Sequence, residues 1–207
     1  VLDLQSGATL TYGGSSSLLY NTTYGVLSEW GTGSATPQNV TIQSGTVTMP
    51  ASTRTVNGTL SITGGTLALS GTSGADLQVK GGWTRTSGSF TPNGRVVTLN
   101  GSSTQTITAT GGETFDNLAA DNAAGITLGS DVTATTGLAL TNGIVSTSTN
   151  TLIVGGSGTV SRTNGHVNGN LRKTVPTGTP SLTFEIGDAT SYAPFSTTFA
   201  SVTTAGT

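Results

Sequence analysis

The chain has 207 residues, of which only 8% are charged, with a formal net charge of -2 and no cysteine. So weak and balanced a charge argues against nucleic acid and an anionic membrane surface as partners, and no disulfide framework can hold the fold. No apolar run approaches the roughly 20 residues of a membrane-spanning helix, so membrane insertion is not expected. Gly is abundant at 31 residues, and about a third of the chain is Ser or Thr. Val, Ile and Thr fit a pleated surface, so this composition points to strands between tight turns. Apolar pairs at regular spacing separate it from a disordered Gly/Ser chain.

Val1-Leu-Asp-Leu reads as a strand, and no basic, apolar leader precedes it. That start fits a processed chain or a segment of a longer one. Residues 1–36 hold Tyr12, Tyr20, Tyr24 and Trp30 around Ser-rich turns. Large aromatics suit an end unit that closes a stacked core against water, so 1–36 is expected to be an N-terminal cap.

From 37 to 173 the texture is uniform. Thr59-Leu-Ser-Ile, Thr66-Leu-Ala-Leu, Asp76-Leu-Gln-Val, Val96-Val-Thr-Leu, Gln105-Thr-Ile-Thr, Gly125-Ile-Thr-Leu, Gly137-Leu-Ala-Leu and Thr151-Leu-Ile-Val each place apolar residues at period two. The stretch 46–65 also overlies 125–143 at an offset of about 78 residues, matching Val47 with Ile126, Met49 with Leu128 and Ile62 with Leu140. Asn-Gly pairs stand between the runs, at Asn57, Asn93, Asn100, Asn142, Asn164 and Asn168, and are expected to make left-handed corners.

Asn-Gly normally marks an antiparallel hairpin, which makes a sandwich the alternative. The runs are too short and the gaps too irregular for a ladder of hairpins. Taking Leu60/Ile62, Leu67/Leu69 and Leu77/Val79 as three successive inward pairs gives one turn in roughly 20–25 residues. The expected fold is therefore all-β: a right-handed parallel β-helix, or β-solenoid, over 37–173. From 174 to 207 the texture changes. Pro176, Pro180 and Pro194 appear with Phe184, Phe195 and Phe199, and a short antiparallel or irregular β segment is expected, as a cap or the start of a further module. The chain ends at Thr207 without a polar closing segment, as a truncated chain would.

Candidate chemistry is sparse. His166 has no other His or Cys to share a metal with, and a zinc site needs three or four ligands; it reads as a solvent-facing turn residue. Nine acids are spread along the chain. Glycoside cleavage needs two carboxyls about 5–10 Å apart, and the closest set is Glu113, Asp116, Asp121 and Asp131. Asp116, Asn117, Asp121 and Asn122 read better as side chains bonded to turn backbone. Gly71-Thr-Ser-Gly-Ala-Asp-Leu-Gln-Val partly matches a calcium-binding nonapeptide but occurs once, whereas that site forms between copies. Thr46/Thr48, Thr53/Thr55, Thr104/Thr106/Thr108 and Thr133/Thr135 could order water on a flat face, yet their uneven spacing argues against one regular array. No catalytic, cofactor or metal residue is assigned, and no cofactor is called for.

The run Asp76-Leu-Gln-Val-Lys-Gly-Gly-Trp-Thr-Arg-Thr-Ser-Gly-Ser-Phe-Thr-Pro-Asn-Gly-Arg-Val-Val-Thr-Leu-Asn-Gly-Ser-Ser-Thr-Gln-Thr-Ile is followed by Phe115-Asp-Asn-Leu, Val167-Asn-Gly-Asn-Leu-Arg-Lys and Phe184-Glu-Ile-Gly-Asp. Together these resemble the β-helical repeat regions of large secreted, adhesin-like surface proteins of Bacteroidetes-type bacteria, over most of 18–207. The resemblance implies an extracellular or cell-surface location and a structural or adhesive role. The expected function is thus a non-enzymatic module that packs end to end or laterally against itself or neighbouring modules and contacts surface glycans. A self-assembling filament subunit joined through end strands is the alternative. A carbohydrate-active enzyme and an ice-binding protein stand behind both.

Overall fold

At Leu60-Ser-Ile62, Leu77-Gln-Val79 and Ile126-Thr-Leu128, two buried apolar residues flank one polar residue, and each trio forms a short strand. The computed structural model describes residues 9–206. The strand expected at Val1–Leu4 lies outside the described residues, as do the rest of 1–8 and Thr207. The first turn carries β1 (Ser17–Tyr20) and β2 (Tyr24–Gly25), then two short 3-10 turns at Ser28–Trp30 and Gly33–Ala35. The second turn holds β3 (Asn39–Ile42), β4 (Thr46–Thr48) and β5 (Arg54–Val56), and the third holds β6 (Leu60–Ile62), β7 (Thr66–Ala68) and β8 (Leu77–Val79). In the fourth are β9 (Trp83–Arg85), β10 (Ser89–Thr91) and β11 (Val96–Leu99).

Higher turns run strands together around corners. They comprise β12 (Gln105–Ala109), β13 (Glu113–Asp121), β14 (Ile126–Leu128), β15 (Val132–Asn142), β16 (Ile144–Val154), β17 (Thr159–Arg162) and β18 (His166–Lys173). The C-terminal region adds β19 (Ser181–Phe184), β20 (Ile186–Gly187) and β21 (Phe195–Thr198). Each long strand bends partway, with Ser148 (φ 54°) inside β16 and Gly169 (φ 120°) inside β18.

Parallel pairing stacks these strands into a β-solenoid of about eight turns. The first face is the line β1-β3-β6-β9-β12-β14, continued by the N-terminal parts of β16 and β18 and by β20. The second face is β2-β4-β7-β10, then the opening parts of β13 and β15 and the closing parts of β16 and β18. The third is β5-β8-β11, the closing parts of β13 and β15, and β17. The three inward pairs read from the sequence fall on the three faces in order. A turn takes from 19 residues (Ile126 to Val145) to 24 (Trp83 to Ile107).

Register lines the inward side chains into columns. Val40, Leu60, Trp83, Ile107 and Leu128 follow one another on the first face. Val56, Val79, Leu99, Ala120 and Leu140 do so on the third. All ten are buried, and full burial of one Leu, Ile or Val contributes roughly 1.5–3 kcal/mol. Trp83, Phe90 and Phe115 meet edge-on inside, with ring centroids 4.7 and 5.1 Å from that of Trp83.

Three sequence readings shift. The 78-residue repeat is one of pattern and not of position: Val47 lies on the second face and its match Ile126 on the first. The expected cap contains a rung of the solenoid, since β1 pairs in register with β3; Trp30 then fills the place of a third-face strand, with Nε1 donating to the Thr55 carbonyl at 2.8 Å. Of the Asn-Gly corners, Gly94, Gly143 and Gly169 have positive φ, whereas Gly58, Gly101 and Gly165 do not. At Gly58 the requirement is close approach, because a Cβ there would stand 2.6 Å from the Gln38 carbonyl of the turn before.

At the C-terminal end β19 and β21 form a small antiparallel sheet, while β20 prolongs the first face on β18. The column of Phe115, Ala134 and Val154 ends in Lys173. Its Nζ meets Glu185 Oε2 and the Thr183 carbonyl, each at 2.6 Å, which closes that column with an ion pair.

Candidate functional site

The acids singled out in the sequence are taken apart by the corners. Asp116 Oδ2 accepts the Gly94 N–H and its Oδ1 the Thr135 hydroxyl. Asp121 Oδ1 accepts the Asn142 amide, and Asp131 Oδ1 the Thr151 N–H at 2.8 Å. Each carboxylate thus ties its corner to a neighbouring turn; Asp116 does so to backbone, as read from the sequence, whereas Asp121 does so through the Asn142 side chain instead. Asn117 donates to the Gly94 carbonyl and Asn122 to the Ser103 carbonyl. The three aspartates stand at three different corners, so no pair of them faces a common substrate position.

Glu113 differs. It occupies an inward column, opposite Val132, and is 4% exposed. Arg85, in the column of Ile42 and Ile62, places Nε 3.0 Å from Glu113 Oε2, and the Trp83 indole N–H donates to the same oxygen at 2.8 Å. Oε1 accepts the Thr114 N–H. The pair sits where the second face is interrupted: β10 ends its sheet, and no ladder joins it to β13. An opening of about 320 Å³ between them is lined by Arg85, Ser89, Phe90 and Glu113. The ion pair fills what an apolar rung would otherwise cover. Oε2 of Glu113 accepts Arg85 and Trp83 and Oε1 accepts Thr114, which holds the carboxylate as a strut between turns. Nothing local in the sequence pairs Arg85 with Glu113, which lie 28 residues apart.

His166 corrects an expectation. It is not a solvent-facing turn residue: it opens β18, is 5% exposed, and its Nε2 lies 2.8 Å from the Asp188 carbonyl of the next turn. Arg162 covers the Tyr192 ring at 3.5 Å beside it. The calcium-like segment 71–79 forms a turn into β8, where Asp76 Oδ1 accepts the Val96 N–H and Thr53 donates to the Gly74 carbonyl. Among the described residues no three His, Cys, Asp or Glu side chains gather as a metal site would require.

An aromatic hollow of about 260 Å³ lies on the first turn, lined by Tyr12, Leu19, Tyr20, Tyr24 and Glu29. Tyr20 donates to Glu29 Oε1 at 2.7 Å, and Glu29 also accepts the Leu27 N–H. Burial, and then the bonded carboxylate, push the Tyr20 phenol far above its ordinary value of 10. Burial, and then the nearby Glu29 charge, raise the Tyr12 phenol as well.

The threonine pairs read from the sequence land on different faces: Thr46/Thr48 on the second, Thr106/Thr108 on the first, Thr55 on the third. Compared with known proteins, the chain matches no family model, no curated protein and no solved structure.

Proposed function

We propose that the chain is a non-enzymatic structural or adhesive β-solenoid module of a secreted cell-surface protein. One observation carries this reading: its aspartates are bonded into the corners and its apolar side chains into continuous columns, so the side-chain chemistry serves rigidity along one axis. A low-charge, hydroxyl-rich wall around such a rod suits lateral packing against neighbouring modules and contact with surface glycans. Negative-stain microscopy with light scattering tests it. Monomeric rods of 20.5 kDa that bind members of a glycan array support the module, and turnover on a polysaccharide panel overturns it.

The second reading is a filament subunit. Among the described residues β17 is paired only with β15, and β21 leaves Phe195 56% exposed beside an antiparallel edge. Open strand edges add to a neighbour's sheet. Regular fibres in the same micrographs would favour this reading.

A further inference from the structure

Unequal turn lengths in the sequence become equal rungs in space. Strands on the first face are paired in register, so outward residues form straight columns although 19 to 24 residues separate their members. One column passes directly through Thr41, Ser61, Thr84 and Thr108. A second contains Thr106, Thr127, Ser146 and Asn168, and the pairing of Leu60 with Trp83 and of Trp83 with Ile107 carries it back through Thr59 and Gly82. Parallel-strand geometry sets the grid at about 4.8 Å between rungs and about 6.6 Å between columns.

Two further observations set this face apart. No charged residue stands in either column; Arg85, the one charge of these strands from β3 to β14, is turned inward to Glu113. Its hydroxyls are also free. Threonines at the corners donate to backbone carbonyls, as Thr53, Thr63 and Thr104 do. Among the described residues, Thr41, Ser61, Thr84, Thr106, Thr108, Thr127 and Ser146 form no such bond and remain partly or fully exposed. The second face lacks this continuity. Its Thr46-Thr66-Ser89 column stops at the opening after β10, and its later column runs from Thr114 and Thr133 into Ile153 and Arg172.

We infer that the first face binds a crystalline water surface. An uncharged face selects against charged polymers, and each exposed hydroxyl bond contributes only about 1 kcal/mol. Appreciable binding therefore requires a partner that repeats with the rungs, so that many weak contacts act together. Ice repeats its oxygen rows at close to the rung spacing, and each Thr of the columns carries both a methyl and a hydroxyl. On this one face a soluble glycan fits less well than on the rest of the wall, because sugar rings stack on aromatic platforms and the aromatic side chains behind it, Trp83, Phe90 and Phe115, point inward. The inference stands apart from the rod-module reading, since it concerns one face and not the chain's place in a larger protein.

The test is ice-affinity partitioning and recrystallisation inhibition with the whole chain. Wild type is expected to enter growing ice. Thr84→Tyr and Thr108→Tyr, at the middle of the face, are expected to reduce activity about ten-fold or more, because one bulky ring lifts several rungs off a flat partner. Thr91→Tyr, outward on the second face, is expected to retain it, with thermal melts confirming that all three variants fold. The inference is overturned if wild type leaves ice growth unchanged, or if Thr91→Tyr loses as much as Thr84→Tyr. Binding to microcrystalline cellulose or chitin without an effect on ice would likewise overturn it and give the face to a solid glycan.

Discussion

Asn122 donates its side-chain amide to Gln105 Oε1 across 2.9 Å, and both side chains are buried in the corner between the third and first faces. Around this contact Gln105 Nε2 donates to the Val79 and Gly81 carbonyls, Oε1 also accepts the Gly101 N–H, and Asn122 Oδ1 accepts the Ala124 N–H. Two amides therefore satisfy the backbone of three successive turns at a place where water does not reach. Asn122→Ala leaves the Ser103 carbonyl and the Ala124 N–H without partners, and is expected to lower unfolding free energy by about 2–3 kcal/mol. Urea unfolding followed by circular dichroism measures it. A loss no larger than that of an exposed Asn→Ala control would show that the network is not holding the corner.

The Arg85–Glu113 strut makes a two-sided expectation. Glu113→Ala leaves a guanidinium mostly enclosed and the Trp83 N–H unpaired, and is expected to cost about 3–5 kcal/mol. The double change Arg85→Met with Glu113→Leu is expected to recover most of that loss, because apolar rungs of similar volume continue the columns on either side. Denaturant midpoints of the two variants decide it. A double variant as unstable as the single one would refute the account.

Alkaline pH acts through Tyr20. Its phenol titrates above the ordinary value of 10 in the folded chain, so the unfolded chain gives up this proton first. The resulting stability is complete below pH 10 and falls as pH rises above it. Absorbance at the tyrosinate band is expected to show Tyr20 ionising only together with loss of β-structure. Tyr20→Phe is expected to remove that coupling and to lower stability at neutral pH by about 1–2 kcal/mol, since Glu29 Oε1 loses a donor.

Acid acts at the other end. The Thr190 and Ser191 N–H groups, then the Thr190 hydroxyl, hold the Asp188 carboxyl below its ordinary value of 3.8. A depressed folded value contributes stability above 3.8 that is lost as pH falls through the folded value. The loop from Asp188 to Ser191 is expected to open first in acid, seen as early amide exchange at Ser191. In Asp188→Asn the protection of Ser191, with the intrinsic pH dependence of exchange divided out, should no longer fall in acid.

The fold was largely legible because its signal is local. Leu60/Ile62, Leu67/Leu69 and Leu77/Val79 bury alternate residues, and alternation survives in any window of four. What lies between turns was not legible. Arg85 finds Glu113, and His166 finds the Asp188 carbonyl, only after the corners have fixed how many residues a turn takes. The length varies because slack is absorbed at corners, and for the same reason the 78-residue match joins residues of different faces. The threonine columns were hidden in the same way: their spacing is irregular along the chain and regular across the sheet.

Asp76, Asp116, Asn117, Asp121 and Asp131 each reach from a corner to an adjacent turn, 19 to 23 residues away. For an all-β protein this is a low contact order, so folding needs no distant partner and can spread outward from any turn that forms first. The same arrangement governs failure under tension. A pulled chain is expected to lose its rungs from an end, each releasing about 70 Å of extended backbone at roughly 3.5 Å per residue, so that the rod lengthens in steps under load and rewinds against the remaining turns when the load is removed.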